Sequence, residues 1–264
     1  MAADLLAGFV FASLIAFASY LSKALSKSGA LVTVAVGTAV FGFGGWNWAP
    51  PILFFFVSSS MLSKLGQTKK AKFQDIFQKD SRRDWTQVLA NGFLPALLAV
   101  RDSFNPQSVW YVLYVTALSA ANADTWGTEL GVLSKESPIL ITSGKTVPAG
   151  TSGGVTRMGT LSSLAGALSL SAVGLFIFPA YDLQLNYFII ITTAGLMASF
   201  FDSLLGAALQ AQYSCAVCSA RTERKWHCQT EVLRVSGVKW VDNDAVNLFS
   251  GLFAVGLGFL LIMA

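Results

Sequence analysis

Five acidic residues stand within, or at the edge of, stretches that are otherwise apolar: Asp124, Glu129, Asp202, Asp242 and Asp244. A carboxylate in such surroundings is costly and is retained where it faces a partner, an ion or water. Carboxylate oxygens are also the hard ligands that Mg2+ takes alongside phosphate oxygens. Between Glu129 and Asp202 lies Ser143-Gly-Lys-Thr-Val-Pro-Ala-Gly-Thr-Ser-Gly-Gly-Val-Thr156, followed by Arg157. Gly150, Gly153 and Gly154 allow a close backbone approach to a ligand, and Thr151, Ser152 and Thr156 interleave hydroxyls. Lys145 and Arg157 add charge suited to phosphate, and the loop feeds an apolar stretch whose helical N-terminus offers further N–H groups. The segment lacks the first glycine and the preceding strand of a Walker A loop. Acids for a divalent cation beside a glycine loop for phosphate are nevertheless what phosphoryl transfer requires.

The elements that must position these groups are membrane-spanning helices. Of the 264 residues 54% are hydrophobic and 12% charged, with a mean hydropathy of +0.59, about half the charge of a soluble domain. Continuous apolar runs predict spans near 5–22, 30–45, 48–63, 85–100, 109–130, 160–178, 186–209 and 245–263. The fold class expected is an all-α polytopic bundle of about eight helices, with 30–63 open to reading as a re-entrant pair. Unbroken rather than alternating apolar patterning favours a helical bundle over a β-barrel. The expected organisation is one membrane-embedded domain, 1–264, with polar loops at about 64–84, 131–158 and 210–243. The first apolar run has no basic segment or cleavage site before it and reads as a retained span.

Alternate loops carry all the Lys and Arg residues except Arg101, which by the positive-inside rule places the long loops in the cytosol or the stroma. The net charge of +4 is therefore a topology signal, and basic residues spread over four membrane-bounded loops argue against nucleic-acid binding. Span 5 then runs inward, leaving Asp124 about six residues, or ~9 Å, from its cytosolic end. Asp202 has a similar depth in span 7, and Asp244 stands at the mouth of span 8. In a straight helix Asn122, Thr125 and Glu129 share a face, whereas Asp124 pairs with Thr128. Either the two acids of span 5 have different roles, or the helix unwinds near Gly127. Val-Asp-Asn-Asp-Ala, 241–245, reads equally as a cap for span 8 and as a site segment.

Cys215, Cys218 and Cys228, with His227, the only histidine, form C-x2-C-x8-H-C. The pattern offers four zinc ligands, but adjacent His-Cys ligands on one short loop are an awkward set. Reduced free thiols are the expected state, with a disulfide disfavoured in a reducing compartment. With one histidine in that loop, no histidine-dependent chemistry is expected between the spans.

Several segments resemble the transmembrane protein 19 family: Ala123-Asp-Thr-Trp-Gly-Thr-Glu-Leu-Gly131, Pro138-Ile-Leu-Ile-Thr142, Lys145 to Thr156, Arg83-Asp-Trp-Thr-Gln-Val88, Asp202-Ser-Leu-Leu-Gly-Ala207 with Gln210, and Asp242-Asn-Asp-Ala-Val-Asn247. The resemblance covers most of the chain from about residue 80. That family includes phytyl-phosphate kinases and the plant sugar-response protein, and distantly resembles dolichol kinase and phosphatidate cytidylyltransferase. Asp202-Ser and Asp242 to Asn247 look closer to the transmembrane protein 19 and sugar-response branch than to the kinase branch. The resemblance implies Mg2+ on Asp124 with Asp202 or Asp244, and phosphates on Lys145 and Gly150 to Thr156. Glu129 joins Asp124 and Lys145 as a candidate catalytic group, and Asn122, Thr128, Arg157, Asn243 and Asn247 as polar contacts for substrate.

The function expected is a Mg2+-dependent kinase in the membrane, transferring a phosphoryl group from a nucleoside triphosphate, CTP favoured, to an isoprenyl monophosphate. Its partners are the bilayer and that lipid, and its membrane is the endoplasmic reticulum or the plastid envelope. A multi-pass transporter and a non-catalytic signalling protein are the alternatives. Carboxylates at one mouth rather than at the midplane weigh against a carrier.

Overall fold

In the computed structural model, residues 2–66, 82–177, 179–181 and 184–264 are described. Lys69, Lys70, Lys72 and Lys79, part of the basic-loop count, lie outside them. Among the described residues eight helices of 16 or more residues follow the predicted stretches: α1 (Ala2–Leu21), α2 (Lys27–Phe43), α3 (Ala49–Lys64), α4 (Trp85–Phe104), α5 (Ser108–Gly131), α6 (Arg157–Ala172), α7 (Leu185–Ala208) and α8 (Asn243–Met263). A π-helical turn, Val173–Ile177, extends α6. By length and composition four can cross a membrane: α1, α6 with its extension, α7 and α8. The others are shorter, as α2 and α3 are at 17 and 16 residues, or carry polar residues along their length, as α4 and α5 do.

Helix starts follow local chemistry. Ser26, Asp84, Thr156 and Asp242 cap α2, α4, α6 and α8, each accepting an N–H of the first turn. Asp84 and Gln87 form a reciprocal capping box. Pro50 and Pro51 occupy the first turn of α3, where the missing N–H costs nothing.

Burial explains which helix carries the acids. α1 exposes Leu6, Phe9, Leu14 and Phe17, the apolar surface that hydrocarbon accepts. α5 is central: it packs against α3, α4, α6, α7 and α8, and every residue from Tyr111 to Ala120 is buried. A helix shielded by five others can hold Asn122, Asp124 and Glu129 away from lipid. It does not unwind near Gly127; it continues to Gly131. Gly127 serves packing instead, because a Cβ there would lie 2.2 Å from Ser163 Oγ of α6. Gly131 and Gly159 make a second close approach between the same helices, and Gly166 packs on Asn122 and Trp126. Small residues at a helix crossing allow this proximity, which sets the start of α6 beside the last turns of α5.

The connections rich in Lys and Arg meet on one face. Leu25 pairs with Arg83, Lys64 Nζ donates to the Ser22 carbonyl, and Gln212 Nε2 donates to Ser152 Oγ at 2.7 Å. Small strands, not foreseen in an all-α reading, stiffen them. β1 (Ile139–Leu140) pairs antiparallel with β2 (Gly154–Val155). β3 (Gln212–Ser214) lies between β4 (Arg221–Thr222) and β7 (Leu233–Ser236), and β5 (Trp226–His227) forms a hairpin with β6 (Thr230–Glu231).

Candidate functional site

The glycine loop is placed by its own backbone. Ile141 N donates to the Gly153 carbonyl at 3.0 Å, and Val147 N to the Pro138 carbonyl at 2.9 Å, so the 138–147 hairpin lies along the Gly150–Val155 segment. Gly153 has φ +75°, and a Cβ there would stand 2.4 Å from the Ala207 Cβ and 2.6 Å from the Ser203 carbonyl. Glycine is required on both counts. The close approach seats the loop directly on α7, one turn beyond Asp202.

A cleft opens where α5, α6, α7 and this loop converge, with about 160 Å³ of room for water-sized groups. Asp124 and Thr128 of α5, Asp202 of α7, Asn243 of α8 and the whole run from Gly150 to Thr156 line it. Asp124 and Asp202 are within Coulombic reach of each other. Ser250 Oγ donates to Asp202 Oδ2 at 3.1 Å, whereas among the described residues none donates a hydrogen bond to Asp124. Beneath them is a smaller cavity lined by Asn91, Asp124, Asp202, Asn247 and Ser250. The two carboxylates therefore line both the cleft and this small, mostly apolar cavity.

The other expected site residues stand elsewhere. Asn122 is wholly buried: its Nδ2 donates to the Gly166 carbonyl at 2.8 Å and its Oδ1 accepts from Ser58 at 3.1 Å. That role joins α3, α5 and α6. Glu129 accepts from Ser63 Oγ of α3 and acts on Arg83, away from the cleft, so the two acids of α5 have different surroundings. Asp244 is buried with Oδ2 2.7 Å from Thr86 Oγ1 of α4 and does not line the cleft. Asp242 is the cap of α8, accepting from Ala245 N at 3.1 Å. Lys145 and Arg157 are exposed and outside the cleft lining. Thr156 lines the cleft while its Oγ1 accepts the Gly159 N–H at 3.0 Å.

Two residues join the site that the sequence did not assign to it. Glu223, from the cysteine segment, lines the cleft and accepts from Ser152 Oγ; nothing in its local sequence, Thr-Glu-Arg, signals this. Gln210 is 5% exposed, lines the cleft, and its Nε2 has no hydrogen-bond partner among the described residues. A buried N–H left unpaired is uncommon and costly, and here it borders a cleft where a ligand oxygen would satisfy it. The signal for Gln210 was its place eight residues after Asp202, about two helical turns.

By donor type the lining suits Mg2+: Asp124 and Asp202 are carboxylates within Coulombic reach of each other, Thr128 and Asn243 offer neutral oxygens, and no sulfur or imidazole lines the cleft among the described residues. No Lys or Arg lines it either among the described residues, so a polyanionic ligand meets acids there unless a divalent cation accompanies it.

A second cavity is apolar. Ala12, Ile15, Val36, Phe41 and Leu53 line a groove between α1, α2, α3 and α4, with Thr33, Arg83, Gln87 and Asn91 as its polar members. Burial pulls the Arg83 guanidinium down to about 10 while the charge of Glu129 opposes the shift, so it stays a cation at neutral pH. Asn91 lines both this groove and the small cavity beneath Asp124 and Asp202.

Residues 10–255 match the family model described as integral membrane protein DUF92. The chain is 35% identical over 263 residues to Protein PGR of Arabidopsis thaliana, covering 91% of this chain and 90% of that one. It is 32% identical over 191 residues to an uncharacterised membrane protein of Methanocaldococcus jannaschii, covering 72% and 76%. Protein VTE6, chloroplastic, of Arabidopsis thaliana is 23% identical over 231 residues, covering 86% of this chain and 62% of that one. No solved structure matches. The match spans nearly the whole chain and agrees with the motifs around Asp124 and Asp202: the protein belongs to the integral membrane protein DUF92 family, the transmembrane protein 19-like family that its sequence resembles.

Proposed function

We propose that the protein is a Mg2+-dependent kinase that phosphorylates a lipid monophosphate, the lipid being an isoprenyl chain of the phytyl type and the donor a nucleoside triphosphate, CTP by preference. The observation that carries the reading is the cleft itself. Two carboxylates from different helices, a glycine loop and the unpaired Gln210 N–H face one space that no basic side chain lines among the described residues. The nucleotide phosphates lie along Gly150 to Thr156, where Gln210 Nε2 donates to a phosphate oxygen. Asp124 and Asp202 hold Mg2+ with Thr128 and Asn243 nearby. When bound, Mg2+ supplies the positive charge that lets phosphate groups sit among carboxylates.

The lipid tail occupies the apolar groove, and its phosphate meets Arg83 and Asn91 at the polar end. A lipid phosphate oxygen attacks the terminal phosphorus of the triphosphate, the bond to the β-phosphate oxygen breaks, and the nucleoside diphosphate leaves. A phosphate monoester is already largely ionised at neutral pH, its second pKa being about 6. No strong base is needed, and none of the cleft residues is a histidine. The resemblance to the family that includes phytyl-phosphate kinases supports the lipid class, and the shared Asn91 supports the route between groove and carboxylates.

The test is turnover by purified full-length protein in detergent, given Mg2+, labelled CTP or ATP, and phytyl or geranylgeranyl monophosphate. Lipid diphosphate formed by the wild type and lost in Asp124→Asn is the expected result. No diphosphate from any of these pairs, with Asp124→Asn binding nucleotide as well as the wild type, would overturn the reading.

A further inference from the structure

The segment between α7 and α8 brings together a second set of ligands. Cys215 Sγ, Cys218 Sγ, Cys228 Sγ and His227 Nδ1 all lie within 4.8 Å of one another. The Cys218–Cys228 separation is 3.7 Å and the Cys218–His227 separation 3.5 Å, with Cys228 Sγ 3.2 Å from His227 Nδ1. A tetrahedral zinc ion with Zn–S near 2.3 Å and Zn–N near 2.05 Å requires edges of about 3.8 Å between sulfurs and about 3.6 Å between sulfur and nitrogen. These three separations are within about 0.4 Å of those edges, and the Cys215 sulfur lies within 4.8 Å of the other three ligand atoms. They are far from the 2.05 Å or so of a disulfide, and all three cysteines are free.

The backbone has also turned to make the convergence possible. Along an extended strand His227 and Cys228 would point to opposite faces. Cys228 has φ +49° and Gln229 φ +59°, left-handed conformations that non-glycine residues seldom adopt. They break the alternation and let two adjacent side chains converge. Ser219, directly after Cys218, has φ +57°, and its N–H returns to the Cys215 carbonyl at 2.8 Å. The backbone N–H groups of Cys218 and Val217 point at the Cys215 sulfur, the donors a ligating thiolate would accept from.

The segment's own core is too small to fix such a conformation. It consists of Ala211, Tyr213, Cys215 and Val232, and folded units of this size ordinarily need a metal or a disulfide as a staple.

We propose that Cys215, Cys218, His227 and Cys228 bind one structural zinc ion, a closed four-ligand site that folds the segment between α7 and α8. The awkwardness of adjacent ligands and of a short scaffold is met by the left-handed pair at Cys228 and Gln229 and by the strands on either side. The same segment carries Gln212 and Glu223, which both bond Ser152 of the glycine loop, so zinc there also steadies the partners of that loop. The metal assignment does not depend on the kinase reading.

Metal analysis of the full chain, purified in detergent under reducing conditions without chelator, tests it. The expected result is one zinc per chain in the wild type and less than a tenth of that in Cys218→Ser and in Cys228→Ser. Wild-type protein exchanged into Co2+ should show the thiolate charge-transfer and tetrahedral ligand-field bands of a sulfur-rich site, which decides the matter even where a variant does not fold. Metal-free protein that takes up neither Zn2+ nor Co2+, stoichiometric iron in its place, a Cys218–Cys228 disulfide found by peptide mass analysis, or variants that retain zinc would each overturn the assignment. Activity is read separately in Asp124→Asn, which should keep its zinc, so failure of one proposal is distinguishable from failure of the other.

Discussion

The two ends of the bundle each hold an acid among the helices, and they treat it in opposite ways. At the end away from the basic loops, Asp102 of α4 is 6% exposed. The Tyr181 hydroxyl lies 2.8 Å from both of its oxygens, and Gln107 N donates to Oδ1 at 3.0 Å. Around it Trp48, Tyr111, Tyr114 and Tyr181 pack ring against ring, and Tyr111 and Tyr114 donate to the carbonyls of Gly174 and Trp48. The carboxylate and the three tyrosine hydroxyls of that cluster all have partners, although the indole N–H of the neighbouring Trp110 has none among the described residues. At the loop face Asp124 receives no hydrogen bond from the described residues, and Gln210 Nε2 none of its own. An acid that its own chain has satisfied is structural; an acid and a buried donor left open toward one cleft await a ligand.

The largest expected difference follows from exchanging the charge at both ends. Asp124→Asn should lower turnover by about 10²-fold or more, as loss of a charged group at a phosphoryl-transfer site does, with little loss of thermal stability. Asp102→Asn should leave turnover unchanged and cost about 1 kcal/mol of stability, the worth of a hydrogen bond. Activity and detergent melting curves measured on both variants decide it; a dead Asp102→Asn with a normal melting curve would break the comparison. Metal removal belongs to the same scale. Because no basic side chain lines the cleft among the described residues, EDTA should weaken nucleotide binding by about 10²-fold, and titration calorimetry with and without Mg2+ measures it.

Glycine substitutions sharpen the contrast within one loop. Gly153 and Gly144 both have positive φ, +75° and +65°, yet a Cβ at Gly153 meets Ala207 and Ser203 whereas nothing lies within 4 Å of Gly144. Gly144→Ala carries only the left-handed penalty of about 1–2 kcal/mol. Gly153→Ala adds a clash that lifts the loop from α7, and nucleotide affinity should fall by about tenfold or more. Equal affinities for the two variants would show that the loop does not need its seat on α7.

Gln210→Met is the next step down. It removes an N–H that the free protein leaves unpaired, so stability should hold or rise, while a bound phosphate loses a donor worth about 1–1.5 kcal/mol, or about tenfold in affinity. A variant that melts earlier and binds nucleotide normally would move Gln210 from the ligand side of the comparison to the structural side.

How much of this was legible in the sequence depends on the range of the interaction. Helices whose stretches are apolar for 16 residues or more could be read because lipid imposes one local rule on every residue. The glycine loop and Asp124 could be read because their composition is improbable in such a chain. Asp244 could not be separated from Asp202 by depth along a helix, since which helix faces which is decided by packing. Asp202 turns toward α5 and the cleft, while Asp244 turns toward Thr86 of α4. Glu223 was hidden for the same reason: it reaches Ser152 across 71 residues of chain, and only the folded cysteine segment brings it there. The continuous helix at Gly127 was one of two open alternatives, chosen by the fit of Ser163 against a residue without a Cβ.

Lys145 gives the smallest expected effect and the finest test of the boundary between the regions. Composition made it a phosphate ligand, but it stands at the exposed tip of the 138–147 hairpin, where its carbonyl accepts Leu140 N at 2.9 Å, and outside the cleft lining. A cation there draws an anionic nucleotide toward the mouth without touching it, an effect that salt screens over about 10 Å at 0.1 M. Lys145→Ala should therefore reduce the association rate by about two- to threefold at low ionic strength, and the difference should vanish at about 0.5 M salt. Turnover at saturating nucleotide should not change. A fall of tenfold or more in that turnover would instead bring the hairpin tip over the cleft during reaction, and Lys145 with it onto the transferring group.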